Sequence, residues 1–489
     1  MVLKGRREIF TDVKEITKDN ICEVMDEAFA IHLQNAAEIK YLQEYERGVQ
    51  PVLKREKEVR PEINYKVVEN HAAEITAFKV GYVFGSPITF VQRASKDINN
   101  DNGDVDDKKI SILNEMMFEE GKITQDQALG KDLATSGLGY RIVLPKKEIT
   151  GVSVFDMLRL NPNTTFVVKF NDMYKRKAVG ASYTETKDGV IKLGAYTDKA
   201  YFELEGSRTG SFKIIKEEKN LVGIPIIEYR YDEEKMCCFE RVVSLLDALN
   251  EATSDRLNGL AQFVQSILWM NNCEVDKEQM EQLKDKLGLL TKSEPGNPAS
   301  VQYLTATLDQ TQTQTLVDYL YEQILQIAGV PGREQSTGGN TGQAIMLSNG
   351  WQIAENHARS TVQTFIASEL EMLKVVLKIF ALQAETPDEV TDLKISDIDV
   401  KFARNRTDSL LVKTQGLNNM LQAGIHPLIA ISNCDLFSDP QSVWNDSKNY
   451  MGKWLYDAEE DDIDAEETVS DSRRSGGEDN IEDTSTIQA

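Results

Sequence analysis

From Thr311 to Gln383, two long helical patterns flank a short polar break, VPGREQSTGGNTGQA, which runs from Val330 to Ala344. Leu316, Leu320, Ile324 and Ala328 recur at helical spacing before it, and Gly329 followed by Pro331 stops that first helix. The second pattern, Gly342 to Gln383, would be about 60 Å long at a rise of about 1.5 Å per residue. A helix of that length is a structural spine, and it requires other elements to line up along it. The break itself holds no aromatic residue and almost no apolar side chain that could anchor it to a core. Between two strong helices such a loop is either inert surface or an element presented to a partner.

At 489 residues the chain exceeds what one hydrophobic core usually supports, so two or more domains are expected. No apolar run approaches the roughly 18 residues that a membrane-spanning helix needs. The start, MVLKGRREIF, carries charge but no apolar stretch, so it does not read as a secretory signal. The cysteines Cys22, Cys237, Cys238, Cys273 and Cys434 form no CxxC pair, which points to synthesis in a reducing cytoplasm. The net charge of −24 is uneven. From Asp457 onward there are 13 acids against Arg473 and Arg474, which leaves −13 for the first 456 residues. The acidic end has little to bury and is not expected to fold. A mildly acidic body excludes a bulk basic nucleic-acid binder driven by counterion release, though not a protein past which DNA must slide.

The coarse pattern is α+β. An amphipathic helix is expected from Asp19 to Arg47, capped by Thr17 or Asp19, and a second from Lys66 to Tyr82 leads into a turn and the strand ITFVQ. After a polar loop, helices are expected near Lys108 to Glu120 and Asp126 to Gly137. From Gly139 to Tyr231 short β-branched and aromatic runs (RIVL, TTFVVKF, KAVGASY, AYFEL, GSFKII, IPIIEYRY) alternate with turns, the mark of antiparallel strands. Helix returns from Phe239 to about Met270, with Val242, Leu245, Leu246 and Leu249 on one face. Its lower half has a second face, polar but largely uncharged, that includes Asn250, Ser254, Asn258, Gln262 and Gln265. That face suits protein contact or a wet lumen. A helix near Lys277 to Leu287 and a strand SVQYLT follow. After the spine come a strand in DIDVKFARN and helices near Asp408 to Ala423 and Pro440 to Met451.

Catalytic signatures are missing. Only four histidines occur, none at metal-ligand spacing from another, and there is no HExxH. The glycine-rich break lacks GxxxxGK[ST], and no cation follows Gly338 until Arg359, which excludes a P-loop. The stretch from Asp97 has calcium-loop spacing at Asp97, Asn99 and Asp101. It places Asn102 and Lys108 where a glycine and a bidentate glutamate are needed, so it reads as a solvated acidic loop. No catalytic residue, metal site or cofactor is expected.

The order of elements nevertheless resembles a known family. The stretch REKEVRPEINYKVVENHAAEITAFKVGYVFGSPITF, Arg55 to Phe90, resembles the N-terminal region of tailed-bacteriophage portal proteins of the Gram-positive siphophage type, the head–tail connectors. The shared pattern falls on Tyr45, Gly48, Asn64, Val67, Ala72, Lys79, Gly81, Tyr82, Phe84, Gly85, Pro87 and Ile88. ATSGLGYRIVL, GIPIIEYRYDEEK, FERVVSLLDALN and GGNTGQAIML follow in the same order, so the resemblance covers residues 10 to 450.

What the resemblance implies can be laid on the chain. The fold would be a portal fold with long stem and spine helices, a strand-rich wing, a small α/β clip and a helical crown. Residues 1–238 would be the wing, 239–270 and 312–330 the stem helices and 271–311 the clip between them. Residues 331–342 would be a tunnel loop, 343–385 the wing spine helix, 386–455 the crown and 456–489 the acidic tail. Portals form a ring, usually of twelve copies, at one capsid vertex, and double-stranded DNA is packaged and ejected through it without sequence preference. The partners implied are further copies of the chain, viral DNA, the large terminase, major capsid and scaffolding proteins and a head–tail adaptor, in the virion and with no membrane. The DNA-facing loop would be Arg333, Gln335, Ser336, Thr337, Gly338, Gly339, Asn340 and Thr341, and the stem channel wall Arg256, Asn258, Gln262 and Gln265. A different reading is a ring-forming adaptor or minor capsid protein that does not conduct DNA.

Overall fold

The structure is a computed structural model and describes residues 5–58, 60–93, 103–264, 267–271, 296, 298, 300–304, 310–332, 350–402, 410–434, 436–437, 443–444 and 446–447. The elements run β1 (Ile9–Thr11), α1 (Ile21–Glu46), α2 (His71–Phe84), β2 (Ile88–Gln92), α3 (Gly103–Glu119) and α4 (Lys122–Ser136). Eight strands follow: β3 (Leu138–Pro145), β4 (Phe155–Leu160), β5 (Thr165–Phe170), β6 (Lys177–Glu185), β7 (Ile191–Tyr196), β8 (Ala200–Ser207), β9 (Gly210–Lys219) and β10 (Ile226–Arg230). Then come α5 (Val243–Val264), β11 (Ile267–Asn271), β12 (Ser300–Leu304), α6 (Gln310–Ala328), α7 (Trp351–Leu382), β13 (Ile398–Phe402), α8 (Leu410–Gln422) and α9 (Pro427–Cys434).

The chain divides into two compact units. One comprises Met1–Ile88 and Glu115–Ile395, the other Thr89–Asn114 and Ser396–Ala489. The second unit thus takes in a segment from within the range 1–238. In it, Asn114 ties α3 to β2, accepting from the Phe90 amide at 3.1 Å and donating to the Phe90 carbonyl at 2.8 Å.

In the first unit six strands order β1-β5-β6-β7-β8-β9, and only β1 runs parallel to its neighbour β5. The rest form an antiparallel meander whose inward side chains recur every second residue. On β7, Ile191, Leu193 and Ala195 are buried while Lys192 is exposed. The apolar stripe Ile21, Met25, Ala28 and Phe29 of α1 covers that face. A three-stranded sheet β10-β3-β4 lies beside it and carries α7. The ends of α1 and α2 pack with α5 and α6 around Tyr45, Phe239, Leu246 and Ile324.

Several boundaries differ from the pattern reading. The cap of α1 is neither Thr17 nor Asp19 but Asn20, whose amide bonds back to Thr17 and Glu15 before the helix starts. The second helix begins at His71 rather than Lys66, because residues 64–69 lie extended along α5. The helix from Phe239 stops at Val264, and Leu268 lies on β11, since Ser300–Leu304 supplies a strand partner for Ile267–Asn271. The pattern reading contains no strand at β4 or β7, although Phe155 and Met157 on β4 and Ile191, Leu193 and Ala195 on β7 alternate with outward residues. The expected helices near 277–287 and 440–451, the start of the spine before 350 and the acidic end fall wholly or largely outside the described residues.

Candidate functional site

The break between α6 and α7 is framed by one short helix, α2. At the first edge Gly329 adopts φ +63°, the left-handed conformation that ends a helix and that glycine reaches without strain. Its carbonyl accepts a hydrogen bond from Lys79 Nζ at 2.8 Å. A cation is favoured there, at the negative end of the α6 dipole. Lys79 is only 5% exposed, and burial pushes its ammonium down to about 8. His357 closes the other side, so a Cβ on Gly329 would stand 2.8 Å from its Nδ1. At the second edge Gly350 caps α7 with φ +78°. Trp351 packs against Phe78 and Tyr82, with ring centroids 6.0 and 5.9 Å apart. Tyr82 donates to Glu355 Oε2 at 2.8 Å, and Glu355 is also paired with Arg359 at 2.9 Å.

Both edges therefore rest on α2, through Lys79 and Tyr82 one turn apart. They also meet each other: a Cβ on Gly350 would lie 3.8 Å from the Pro331 Cα. The chain leaves this frame and returns to it at one place. Arg333, Gln335, Ser336, Thr337, Gly338, Gly339, Asn340 and Thr341 lie outside the described residues.

Part of the polar face of α5 is used within the protomer. Asn250, Ser254 and Asn258 stand four residues apart and accept from the amides of Glu69, Val67 and Tyr65 at 2.8, 3.0 and 2.7 Å. The spacing fits because four residues of helix rise about 6.0 Å while two of extended chain rise about 6.6 Å. Segment 64–69 thus pairs with side chains of a helix as it would with a neighbouring strand. Asn258 also donates to the Tyr65 carbonyl at 3.3 Å and is 3% exposed, so within this protomer it clamps segment 64–69 to α5. Arg256 donates to Gln314 Oε1, which links α5 to α6, and Gln314 bonds Asp318 at 2.7 Å. The Gln262 side chain and Gln265 lie outside the described residues. On the outer faces Leu257, Leu260, Leu316 and Tyr319 remain 41 to 57% exposed.

The spine helix is fixed to the first unit by buried charge, which periodicity does not reveal. Glu369 on α7 accepts from Arg141 on β3 at 2.8 Å and from the Tyr229 hydroxyl on β10 at 2.7 Å. Its second oxygen pairs with Lys122 on α4 at 3.0 Å. Asp126 completes the group, bound to Lys122 at 2.5 Å and to Arg141. Two cations and two carboxylates thus balance in a site where no member is more than 5% exposed. Burial alone would raise the Glu369 carboxyl, but Lys122 and Arg141 outweigh it and hold it below the usual range. A second group centres on Glu228, paired with Lys235 at 3.0 Å. Desolvation opposes its ionisation, yet Lys235 and Lys169 hold it down at about 2.

Among the described residues no side-chain group has the form of a catalytic site. His32 is buried against Phe166 and pushed down to about 4 by desolvation, so it is neutral core. Among the described residues no group of His, Cys, Asp and Glu could hold a metal ion, and no helix is long and apolar enough to cross a membrane.

No curated protein sequence matches this chain. The family described as "phage portal protein, SPP1 Gp6-like" matches residues 26–467, which include α2, both long helices and the framed break between them. The chain belongs to that portal protein family.

Proposed function

We propose that copies of this chain assemble into a ring-shaped channel at one capsid vertex, through which double-stranded DNA is packaged and later ejected. The family match over residues 26–467 carries this reading. The exposed Leu257 and Leu260 on α5, with Leu316 and Tyr319 on α6, support it as contacts between neighbouring copies, since exposed apolar faces mark protein interfaces. Residues 239–270 and 312–330 act as stem helices, 271–311 as the clip that meets terminase and then the head–tail adaptor, and 386–455 as the crown. Capsid and scaffolding proteins surround the ring, usually of twelve subunits. The chain acts as a conduit and not as a catalyst.

Segment Arg333–Thr341 is the tunnel loop. The meeting of Pro331 and Gly350 beside α2 supports this, because it holds both ends of the break together. A ring of serine, threonine, asparagine and glutamine contacts phosphates weakly. A lysine ring would grip them, since each neutralised phosphate adds a counterion-release term that opposes sliding. Arg256, Gln262 and Gln265 contribute to the channel wall, while Asn258 is taken up by Tyr65.

Electron microscopy of the purified full-length chain tests the assembly. Rings with an axial hole wide enough for duplex DNA are expected. Monomers or compact dimers would refute it, and rings too narrow for DNA would favour an adaptor. Deleting Gln335 to Asn340 should leave rings intact and impair packaging; normal packaging would refute the tunnel-loop assignment.

A further inference from the structure

A cleft of 660 Å³ opens on the first unit between the strand ends of the large sheet and the exposed side of α7. Its floor is apolar, made by Phe170, Val222, Ile224 and Val375. Its rim carries Lys14, Arg176, Lys177, Lys199, Lys374 and Lys378, against the carboxylates Glu15, Asp198 and Glu371. Lys199 pairs with Glu15 at 2.7 Å, Lys177 with Glu371 at 2.5 Å, and Arg176 with Asp172 at 3.4 Å. Among the described residues Lys14, Lys374 and Lys378 make no ion pair. Asp198 and Lys378 both approach Gly223, where a Cβ would stand 3.2 and 3.1 Å from them, without forming an ion pair. Lys374 and Lys378 lie one turn apart on the exposed face of α7.

Unpaired cations gathered over an apolar floor are unusual on a chain whose net charge is −24. The same chain holds a segment with the complementary pattern. Glu459 to Glu467, EEDDIDAEE, has seven carboxylates interrupted only by Ile463 and Ala465. We propose that this cleft is the docking site of the acidic C-terminal segment, from its own or a neighbouring copy. Ile463 occupies the apolar floor, and the flanking carboxylates pair with Lys14, Lys374 and Lys378. Duplex DNA fits less well, because a phosphodiester backbone gains nothing from the floor while Glu15, Asp198 and Glu371 repel it. The proposal is independent of the channel reading.

Zero-length carbodiimide coupling of the full-length protein tests it. Couplings from Glu459–Glu467 should concentrate on Lys14, Lys374 and Lys378, and should fade several-fold at about 0.5 M salt, where screening falls to a few ångströms. Ile463→Asp should also reduce them several-fold although it adds charge. Tail couplings spread evenly over other exposed lysines, or none at all, would overturn the proposal. A second measurement leaves the body untouched. In the variant Asp461→Asn, Asp462→Asn, Asp464→Asn, acylation of Lys374 and Lys378 should become several-fold faster. An unchanged rate would overturn the proposal, as would protection of these lysines by a short DNA duplex but not by the tail.

Discussion

Replacing Glu369 with glutamine keeps the side-chain shape and removes one charge from the group that holds α7. Lys122 and Arg141 would then face Asp126 alone, in a site where no member exceeds 5% exposure. The new amide must also turn its NH₂ donors toward either Lys122 Nζ, 3.0 Å from one oxygen, or the Arg141 and Tyr229 donors at 2.8 and 2.7 Å from the other. Breaking a buried ion pair from one side costs about 3–5 kcal/mol. At about 1.4 kcal/mol per tenfold, the α7 amides should exchange with solvent roughly a hundredfold to a few thousandfold faster. Hydrogen exchange read by mass spectrometry on peptides covering Trp351–Leu382 is the assay. The double variant Lys122→Met, Glu369→Gln restores one cation to one carboxylate and removes the clashing donor. It should recover about half of the loss, a coupling that additive effects would not produce. An effect under about tenfold for Glu369→Gln, or a double variant as unstable as the sum of the singles, would refute the assignment of this group as the spine's anchor.

Glu228 makes the native state acid-sensitive. Its folded pKa of about 2 lies below the ordinary carboxyl value of 4.5, so its contribution is present above about 4.5 and is lost as pH falls toward 2. That amounts to about 3 kcal/mol, and Glu228→Gln should flatten the unfolding midpoint against pH in that window. Lys79 gives a slope of the same sign in a higher window, there because burial disfavours its charged form. Its folded pKa of about 8 lies below 10.5, so the native state sheds its proton first and stability should rise between pH 8 and 10.5. Lys79→Met should abolish that rise in a urea titration series while leaving the Gly329 carbonyl without its donor. Gly329→Ala forces a side chain into the left-handed region and against His357, and should lower the melting temperature by an amount equal to about 1–3 kcal/mol. Asn258→Ala removes two hydrogen bonds to Tyr65, at about 1 kcal/mol each, and should speed proteolysis within residues 60–70.

The helices and most strands were legible because each buries one face at its own period. Ile21 to Ile39 on α1, the β-branched and aromatic runs of β5 and β6, and the glycine stop at Gly329 all read directly. The family was legible too, in motif order and not in any single residue. The limit of local pattern appears at residues 66–69, which the pattern reading places in the first turn of a helix. The amides there and at Tyr65 find better acceptors on Asn250, Ser254 and Asn258, nearly two hundred residues away. The same long-range match gives Asn250, Ser254 and Asn258 a structural use within the protomer.

By itself the sequence determined the α+β class, the absence of recognisable catalytic motifs, the membership in a portal family and the position of the break. These depend on short-range periodicity and on motif order, both carried by neighbouring residues. Only the tertiary structure decided that α2 holds both edges of the break, that Pro331 and Gly350 meet, and that Glu369 anchors the spine to α4, β3 and β10. Each of these joins charges or amides far apart in the chain. Their stability depends on shared exclusion from water, which no local pattern encodes.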